Sequence, residues 1–394
     1  MSTRTGRLSS PVAAAAGLAA DVRDRAAVWD RDGGLPDTVR DAVAAAGLLA
    51  ADLPEEYGGA GATPAELGEL CAHLGGVCSA LRGLVTVQGM VAAALHRWGT
   101  REQRARWLPR LADGELTAGF AATEQAAGSA LSAVTTRIER DGADVVVTGR
   151  KKWITFGQVA DVFLVLGQEG GRPVTALVEG WRDGVGREPV RDQLGMRAAR
   201  IAHVDFRSVR IPPGNLVAPA GLGLSHVAAT ALDHGRFTVA WGCVGMAEAC
   251  VEDAATHAAT RAQGDAVLAD HQSVRALLAR AAVRAAGARA LCRRAAEARG
   301  GNTRRGIPET VLAKYAAADA AAAAGRDAVQ ILGSAGCEPD SRVARHFRDA
   351  KVMEIIEGAQ QVAEQHIAEH VMRRYTAPRA NGTPSGAAGG AVAR

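Results

Sequence analysis

The spacing of apolar positions changes twice along the chain and divides it into three blocks. Up to residue 116 the spacing is helical. Thr63-Pro64-Ala65-Glu66 is a capping box with proline at the first helical position, and Leu67, Leu70 and Leu74 follow it on a long apolar helix. Thr100-Arg101-Glu102-Gln103 repeats the signature ahead of Trp107 and Leu108. Ahead of the first of them, residues 53–61 form a turn-rich loop between helices. Over residues 117–221 the pattern shortens. The runs 145–147, 163–166, 174–178 and 201–206 are rich in β-branched and apolar residues, with Gly, Asp and Pro between them. That pattern predicts a small antiparallel sheet or barrel. Over residues 222–377, Ala-rich periodic stretches at 223–262, 269–299 and 308–333 predict a helical bundle. Residues 378–394, rich in Gly, Pro, Ala and Ser, read as a disordered tail.

A helical block, a β block and a second helical block argue against a nucleotide fold of alternating strands and helices. No Gly-x-Gly-x-x-Gly stands between a strand and a helix. The 394 residues can bury a large core, and 48% hydrophobic with 22% charged residues is ordinary globular composition. The formal charge of +4 is small for this length, and no basic run with interleaved aromatics suggests nucleic acid. Lysine occurs only at 151, 152, 314 and 351, so the basic charge is almost all arginine. The six cysteines (71, 78, 243, 250, 292 and 337) form no Cys-x-x-Cys and no zinc spacing. They fit a reducing cytoplasm, and no metal site is expected. No apolar run approaches the ~20 residues of a membrane span.

Several short motifs carry candidate chemistry. Met353-Glu354-Ile355-Ile356-Glu357-Gly358 sets a carboxylate in an apolar run. Burial raises a carboxylate's basicity, and the glycine behind it lets a substrate approach. Phe120-Ala121-Ala122-Thr123-Glu124-Gln125-Ala126-Ala127-Gly128-Ser129 ends a strand in a turn of small residues, where backbone N–H groups and hydroxyls are offered to a ring or a phosphate. Lys151-Lys152-Trp153-Ile154-Thr155 places an indole and a hydroxyl two residues apart, on one face of a strand by simple alternation. Leu232-Asp233-His234-Gly235-Arg236 is expected to open a helix, and Arg261 and Gln272 flank a helix break at Gly264-Asp265. Residues 328–336, with Gln330 and Ser334, end another helix in a glycine-rich turn.

In this order and spacing the motifs resemble the acyl-CoA dehydrogenase family of flavoproteins, over nearly the whole chain. The resemblance implies an α+β multidomain fold: an N-terminal helical domain (1–116), a middle β-barrel or sandwich domain (117–221) and a C-terminal four-helix bundle (222–377). It implies FAD as cofactor. Phe120, Ala122, Thr123, Gly128 and Ser129 match the segment lining the flavin and the pantetheine entrance. Trp153 and Thr155 match the pair at the isoalloxazine. Arg261, Gln272 and Gln330 match positions that grip the pyrophosphate and adenosine, typically across a subunit boundary, and Ser334 and Gln361 go with the same cofactor set. Asp233 and Arg236 match a pair near the acyl thioester, and Ile356 and Gly358 flank the substrate. Glu357 matches the catalytic base of an α,β-dehydrogenation in which the β-hydride goes to the flavin. In the family the developing enolate is held by the base's own backbone N–H and a ribityl hydroxyl.

Some members carry the base directly before the arginine matched by Arg236. That position is Gly235 here, which leaves Glu357 as the family-compatible base. The chain departs from the family at Gln125, Ala130, Gly264, Ile356 and Ala359, which bears on the adenine end and on the shape of the acyl pocket. Residues 79–90, 239–250 and 353–358 resemble the acyl-carrier-protein dehydrogenases that make hydroxy- or alkoxymalonyl extender units for polyketides. The implied partners are an acyl thioester on CoA or a carrier protein, an electron acceptor such as an electron-transfer flavoprotein or oxygen, and further copies of the chain as dimer or tetramer. A flavin monooxygenase on the same scaffold and a non-catalytic partner subunit are the alternatives.

Overall fold

The computed structural model describes residues 10–301 and 305–376, so the tail expected at 378–394 lies outside the described residues. The N-terminal block is helical: α1 (Pro11–Val22), α2 (Ala26–Asp32), α3 (Asp37–Ala45), α4 (Pro64–Gly75), α5 (Ser79–Trp98) and α6 (Arg101–Ala112). Both expected capping boxes form. Thr63 caps α4 with Glu66 reaching back, and Thr100 does the same for α6 with Gln103. Each box satisfies N–H groups that a helix start otherwise leaves unpaired. Helix α5 is buried on almost every face, so its polar side chains need internal partners. Gln88 shows how this is met: its amide nitrogen donates to the carbonyls of Leu111 and Leu116 (2.7 and 2.6 Å), and its oxygen accepts from Ala118 N–H (2.9 Å).

The middle block contains β1 (Ala118–Ala121), β2 (Arg137–Asp141), β3 (Asp144–Ile154), β4 (Val162–Glu169), β5 (Arg172–Glu179), β6 (Val185–Pro189), β7 (Ala202–Ile211) and β8 (Leu216–Val217). They form one eight-stranded sheet in the order β6-β7-β3-β2-β4-β5-β8, with β1 paired to β4. The sheet is mostly antiparallel as expected, with a correction: β1 and β2 both run parallel to β4. The long connection of residues 122–136, which carries the small-residue turn, separates β1 from β2 and allows this direction.

The C-terminal block is helical again. A single π-helical segment (Gly223–Ala228) leads into α7 (Ala229–Thr260). The expected helix start at 232–236 therefore falls inside a helix that has already begun. A two-stranded ribbon, β9 (Ala262–Gln263) and β10 (Ala266–Val267), turns at Gly264 (φ 61°) and delivers the chain to α8 (Gln272–Gly300). Then come α9 (Gly306–Leu332), α10 (Arg342–Met353) and α11 (Gln360–Thr376). Helix α7 is the hub and packs on α4, α5, α8 and α9. Small residues permit the close approach: a Cβ at Gly75 of α4 would stand 2.5 Å from the Gly242 carbonyl oxygen of α7. Of the six cysteines, all but Cys337 are buried. Among the described residues no helix is long and apolar enough to cross a membrane, and no group of three or more His, Cys, Asp or Glu could hold a metal ion.

Candidate active site

Helix α10 ends at Met353, and the chain turns through residues 354–358 before α11 begins. Glu357 sits in this turn with left-handed backbone (φ 54°), followed by Gly358 at φ 98°. A non-glycine residue in that region is strained and persists only where its surroundings hold it. Two cations do so. Arg236 on α7 donates Nε–H to the Glu357 carbonyl at 2.9 Å, and the ammonium of Lys314 on α9 donates to the Gly358 carbonyl at 2.7 Å. Among the described residues no backbone carbonyl accepts the Glu357 N–H.

The Glu357 side chain reaches inward between α5 and α7. A Cβ at Gly235 would meet its Oε2 at 2.5 Å and the Met90 sulfur at 3.0 Å. Oε2 is out of contact with solvent and, among the described residues, has no hydrogen-bond partner. Burial pushes the carboxyl up to about 7, although Arg236, Lys314, Arg82 and His234 all pull it down. Desolvation outweighs the surrounding positive charge, and the result is a carboxyl poised near neutrality, where a general base works best. Lys314 is itself driven down to about 8 by burial, against the opposing influence of Cys243 and Glu357.

The small-residue turn after β1 is fastened by a buried ion pair. Lys151 donates to Glu124 Oε1 (2.7 Å) and to the Ala122 carbonyl (3.0 Å). The two Glu124 oxygens also accept the N–H and O–H of Thr135 and Thr136 at 2.6–3.0 Å. Burial raises the Glu124 carboxyl, but its bonds from Lys151, Thr135 and Thr136 prevail and hold it at about 2. This cross-brace leaves Thr123 partly buried and Gly128 and Ser129 exposed at the rim, with Phe120 and Ala122 packed inward.

Trp153 and Thr155 do not share a face by simple alternation, which corrects the expectation. The register of β3 shifts between Lys151 and Ile154, Trp153 has φ 60°, and the strand ends before Thr155. The bulge turns the indole outward, where it is 55% exposed and meets the His203 ring edge-on at 5.5 Å. Thr155 lies against α5, with its methyl 4.0 Å from where a Cβ of Gly83 would be. An exposed indole, two hydroxyls and a rim of free backbone suit a flat heteroaromatic ring such as a flavin.

The remaining expected residues separate into two groups. Arg236, Gly358 and Ile356 gather at Glu357. Asp233 lies one turn away; Arg299 donates to its Oδ2 at 2.6 Å, while its buried Oδ1 has no hydrogen-bond partner among the described residues. Arg261, Gln272, Gln330 and Ser334 are all exposed and stand at the other end of the bundle. Arg236 and Arg261 are separated by about 37 Å of helical rise along α7, and Lys314 and Gln330 by about 24 Å along α9. Gln361 is exposed in the first turn of α11. Arg82, Lys151 and Lys314 were missed as site residues. For the lysines the available signal was scarcity: the chain has only four, and two of them, Lys151 and Lys314, are buried.

A helical block, a sheet and a helical bundle, with a buried carboxylate at the bundle's edge, define the architecture of flavin-dependent thioester dehydrogenases. Models of the acyl-CoA dehydrogenase N-terminal, middle and C-terminal domains match residues 12–115, 119–209 and 223–372. The short-chain specific acyl-CoA dehydrogenase of Bos taurus mitochondria is 31% identical over 335 residues, 84% of this chain and 81% of that protein. Among solved structures, FkbI, described as acting in biosynthesis of the methoxymalonyl extender unit of the Fk520 polyketide, is 40% identical with TM-score 0.85, over 91% of this chain and 99% of that one. A Mycobacterium smegmatis glutaryl-CoA dehydrogenase in complex with FADH2 is 26% identical with TM-score 0.88, over 95% of this chain and 98% of that one. The chain belongs to the acyl-CoA dehydrogenase family, and its cofactor is FAD. It is an FAD-dependent oxidoreductase of acyl thioesters.

Proposed function

We propose that the protein removes the elements of H2 across Cα–Cβ of a small acyl thioester, with Glu357 as base. The observation that carries this is Glu357 Oε2, out of contact with solvent beside Gly235 and without a hydrogen-bond partner among the described residues, on a carboxyl that burial raises to about 7. Glu357 takes the α-proton onto its free oxygen as the α-C–H bond breaks. The developing enolate oxygen needs donors placed beforehand, and the Glu357 N–H, which no backbone carbonyl accepts among the described residues, is one that this chain supplies. Bound FAD supplies the two-electron acceptor for the β-hydride. Trp153, Thr155, Thr123 and the 128–129 rim would hold its ring system. Arg261, Gln272, Gln330 and Ser334, remote from Glu357, would serve the pyrophosphate and adenosine, which supports a dimer or tetramer with a shared site.

The short acyl group and its carriage on an acyl-carrier protein in polyketide metabolism draw support from the likeness to FkbI. An electron-transfer flavoprotein is the partner this reading favours as acceptor. The deciding experiment replaces Glu357 by Gln. The variant is expected to hold FAD normally and to lose substrate-driven flavin bleaching by at least ~10³-fold in anaerobic stopped flow. Near-normal bleaching would overturn Glu357 as base.

A further inference from the structure

The register of β3 against β7 sets two residues opposite one. Lys151 pairs with Val204 and Ile154 with Ala202, so Lys152 and Trp153 stand against the single residue His203. Such a bulge interrupts the regular ladder of backbone bonds. Both bulged N–H groups nevertheless have acceptors. Lys152 N–H donates to the Thr123 carbonyl at 2.9 Å, in the small-residue turn at the flavin rim. Trp153 N–H donates to Nδ1 of the His203 side chain at 3.2 Å. The first anchor is backbone alone. The second is an imidazole, a group that gains and loses a proton in the ordinary working range of pH.

The bond fixes the state of the ring. A ring nitrogen that accepts carries no hydrogen, so the His203 proton stands on Nε2 and the imidazole is neutral. Once both nitrogens are protonated, neither can accept, and Nδ1–H would face Trp153 N–H as donor against donor. Trp153 needs outside support, because it is a non-glycine residue at φ 60°. The surroundings keep His203 neutral. Burial of the half-buried ring lowers its hold on the second proton from the ordinary 6.5, and Lys152 and Arg150 on β3 act in the same direction. Glu188, its register partner on β6, and Asp205 on β7 oppose them. Arg150 binds both of these carboxylates, and Arg207 binds Asp205 as well. The bond to Trp153 is therefore intact at neutral pH and is lost only as pH falls through a value below 6.5.

We infer that His203 is a positioning residue for the cofactor: its neutral imidazole holds the Trp153 bulge in the conformation that offers the indole to the flavin ring, and a proton on Nδ1 releases it. This rests on the flavin placement at Trp153 and Thr155 proposed above. It adds a residue outside that set, which acts on the flavin only through Trp153.

The test uses the full chain freed of FAD, with its six tryptophans replaced by 5-fluorotryptophan for fluorine NMR, and FAD as the titrant. The Trp153 resonance is identified by its absence in Trp153→Phe. In the unaltered protein it should move as pH falls from 7.5 to 5. FAD affinity, read from flavin fluorescence, should fall over the same range by about 3- to 10-fold, the worth of one hydrogen bond. His203→Asn supplies a carbonyl oxygen as acceptor and does not titrate. It should keep FAD affinity at pH 7.5 within about twofold, and both pH responses should flatten. His203→Leu supplies no acceptor and should bind FAD about 3- to 10-fold more weakly already at pH 7.5, with little further loss at pH 5. A Trp153 resonance indifferent to pH in the unaltered protein, or full FAD affinity in His203→Leu, overturns the inference. Trp153→Ala separates this failure from that of the flavin placement. If Trp153→Ala loses FAD affinity while His203→Leu does not, the placement stands and only the role of His203 falls. If Trp153→Ala binds FAD as tightly as the unaltered protein, the placement falls and takes this inference with it.

Discussion

The carboxyl of Glu357 lies against the bare backbone of Gly235: a Cβ there would stand 2.5 Å from Oε2 and 2.7 Å from Cδ. The two residues are far apart in sequence and meet because the turn after α10 folds back over α7. Gly235→Ala is therefore expected to push the carboxylate off its position. The atoms it would strike belong to the side chain of Glu357, so the protein should fold, at a cost of roughly 1–3 kcal/mol from overpacking. Flavin reduction should fall at least ~10-fold through kcat, because a misplaced base costs rate more than binding. Comparison of melting temperature and stopped-flow rate in one preparation checks both. An alanine variant with unaltered rate would show that the carboxylate works from elsewhere.

The second prediction concerns pH. Burial raises Glu357 from the ordinary 4.5 to about 7, so the proton leaves only as pH passes through neutrality. A base must be ionised to act, so kcat/KM should climb tenfold per pH unit below about 7 and level off above it. The sign for stability is opposite. A carboxyl whose folded value lies above its unfolded value adds most stability below pH 4.5, and that contribution drains away as pH rises through about 7. A rate profile flat from pH 5 to 9 would contradict the assignment. In Glu357→Gln the pH dependence of the melting temperature near neutrality should flatten.

A third prediction addresses the loop at the flavin rim. Lys151 and Glu124 are both buried, and between them they anchor Ala122, Thr135 and Thr136. Taking away one member of such a pair strands the other charge, at roughly 3–5 kcal/mol. Lys151→Met should thus lower stability by about that amount and loosen residues 122–136. FAD should then be lost more readily on dilution, as followed by flavin fluorescence. The double variant Lys151→Met/Glu124→Gln should recover part of the stability, since no lone charge is left behind. Equal FAD retention in all three proteins would separate the brace from the cofactor site.

The architecture was legible because its signals are local. The capping boxes at Thr63 and Thr100, the glycine turn at 264 and the short β-branched runs each report on a few neighbouring residues, and all appear where the pattern puts them. The reading of Trp153 and Thr155 failed for the same reason. Strict alternation assumes a regular strand, and the bulge at Lys151–Ile154 depends on how β3 pairs with β7. The partner of Asp233 is not legible locally either: Arg299, which donates to its Oδ2, stands 66 residues further on.

The sequence by itself determined the order of helical and β blocks, the ends of several helices and the Glu357-Gly358 pair, because periodicity and capping are properties of short segments. Only the tertiary structure decided what surrounds that carboxylate. Gly235, Arg82, Lys314 and Glu357 come from four separate elements, and none of them signals its partners in the chain. Their meeting depends on the packing of α5, α7 and α9 beneath the turn. The basicity of Glu357 is set by the water that this packing removes, and a linear sequence does not record which atoms lose their water.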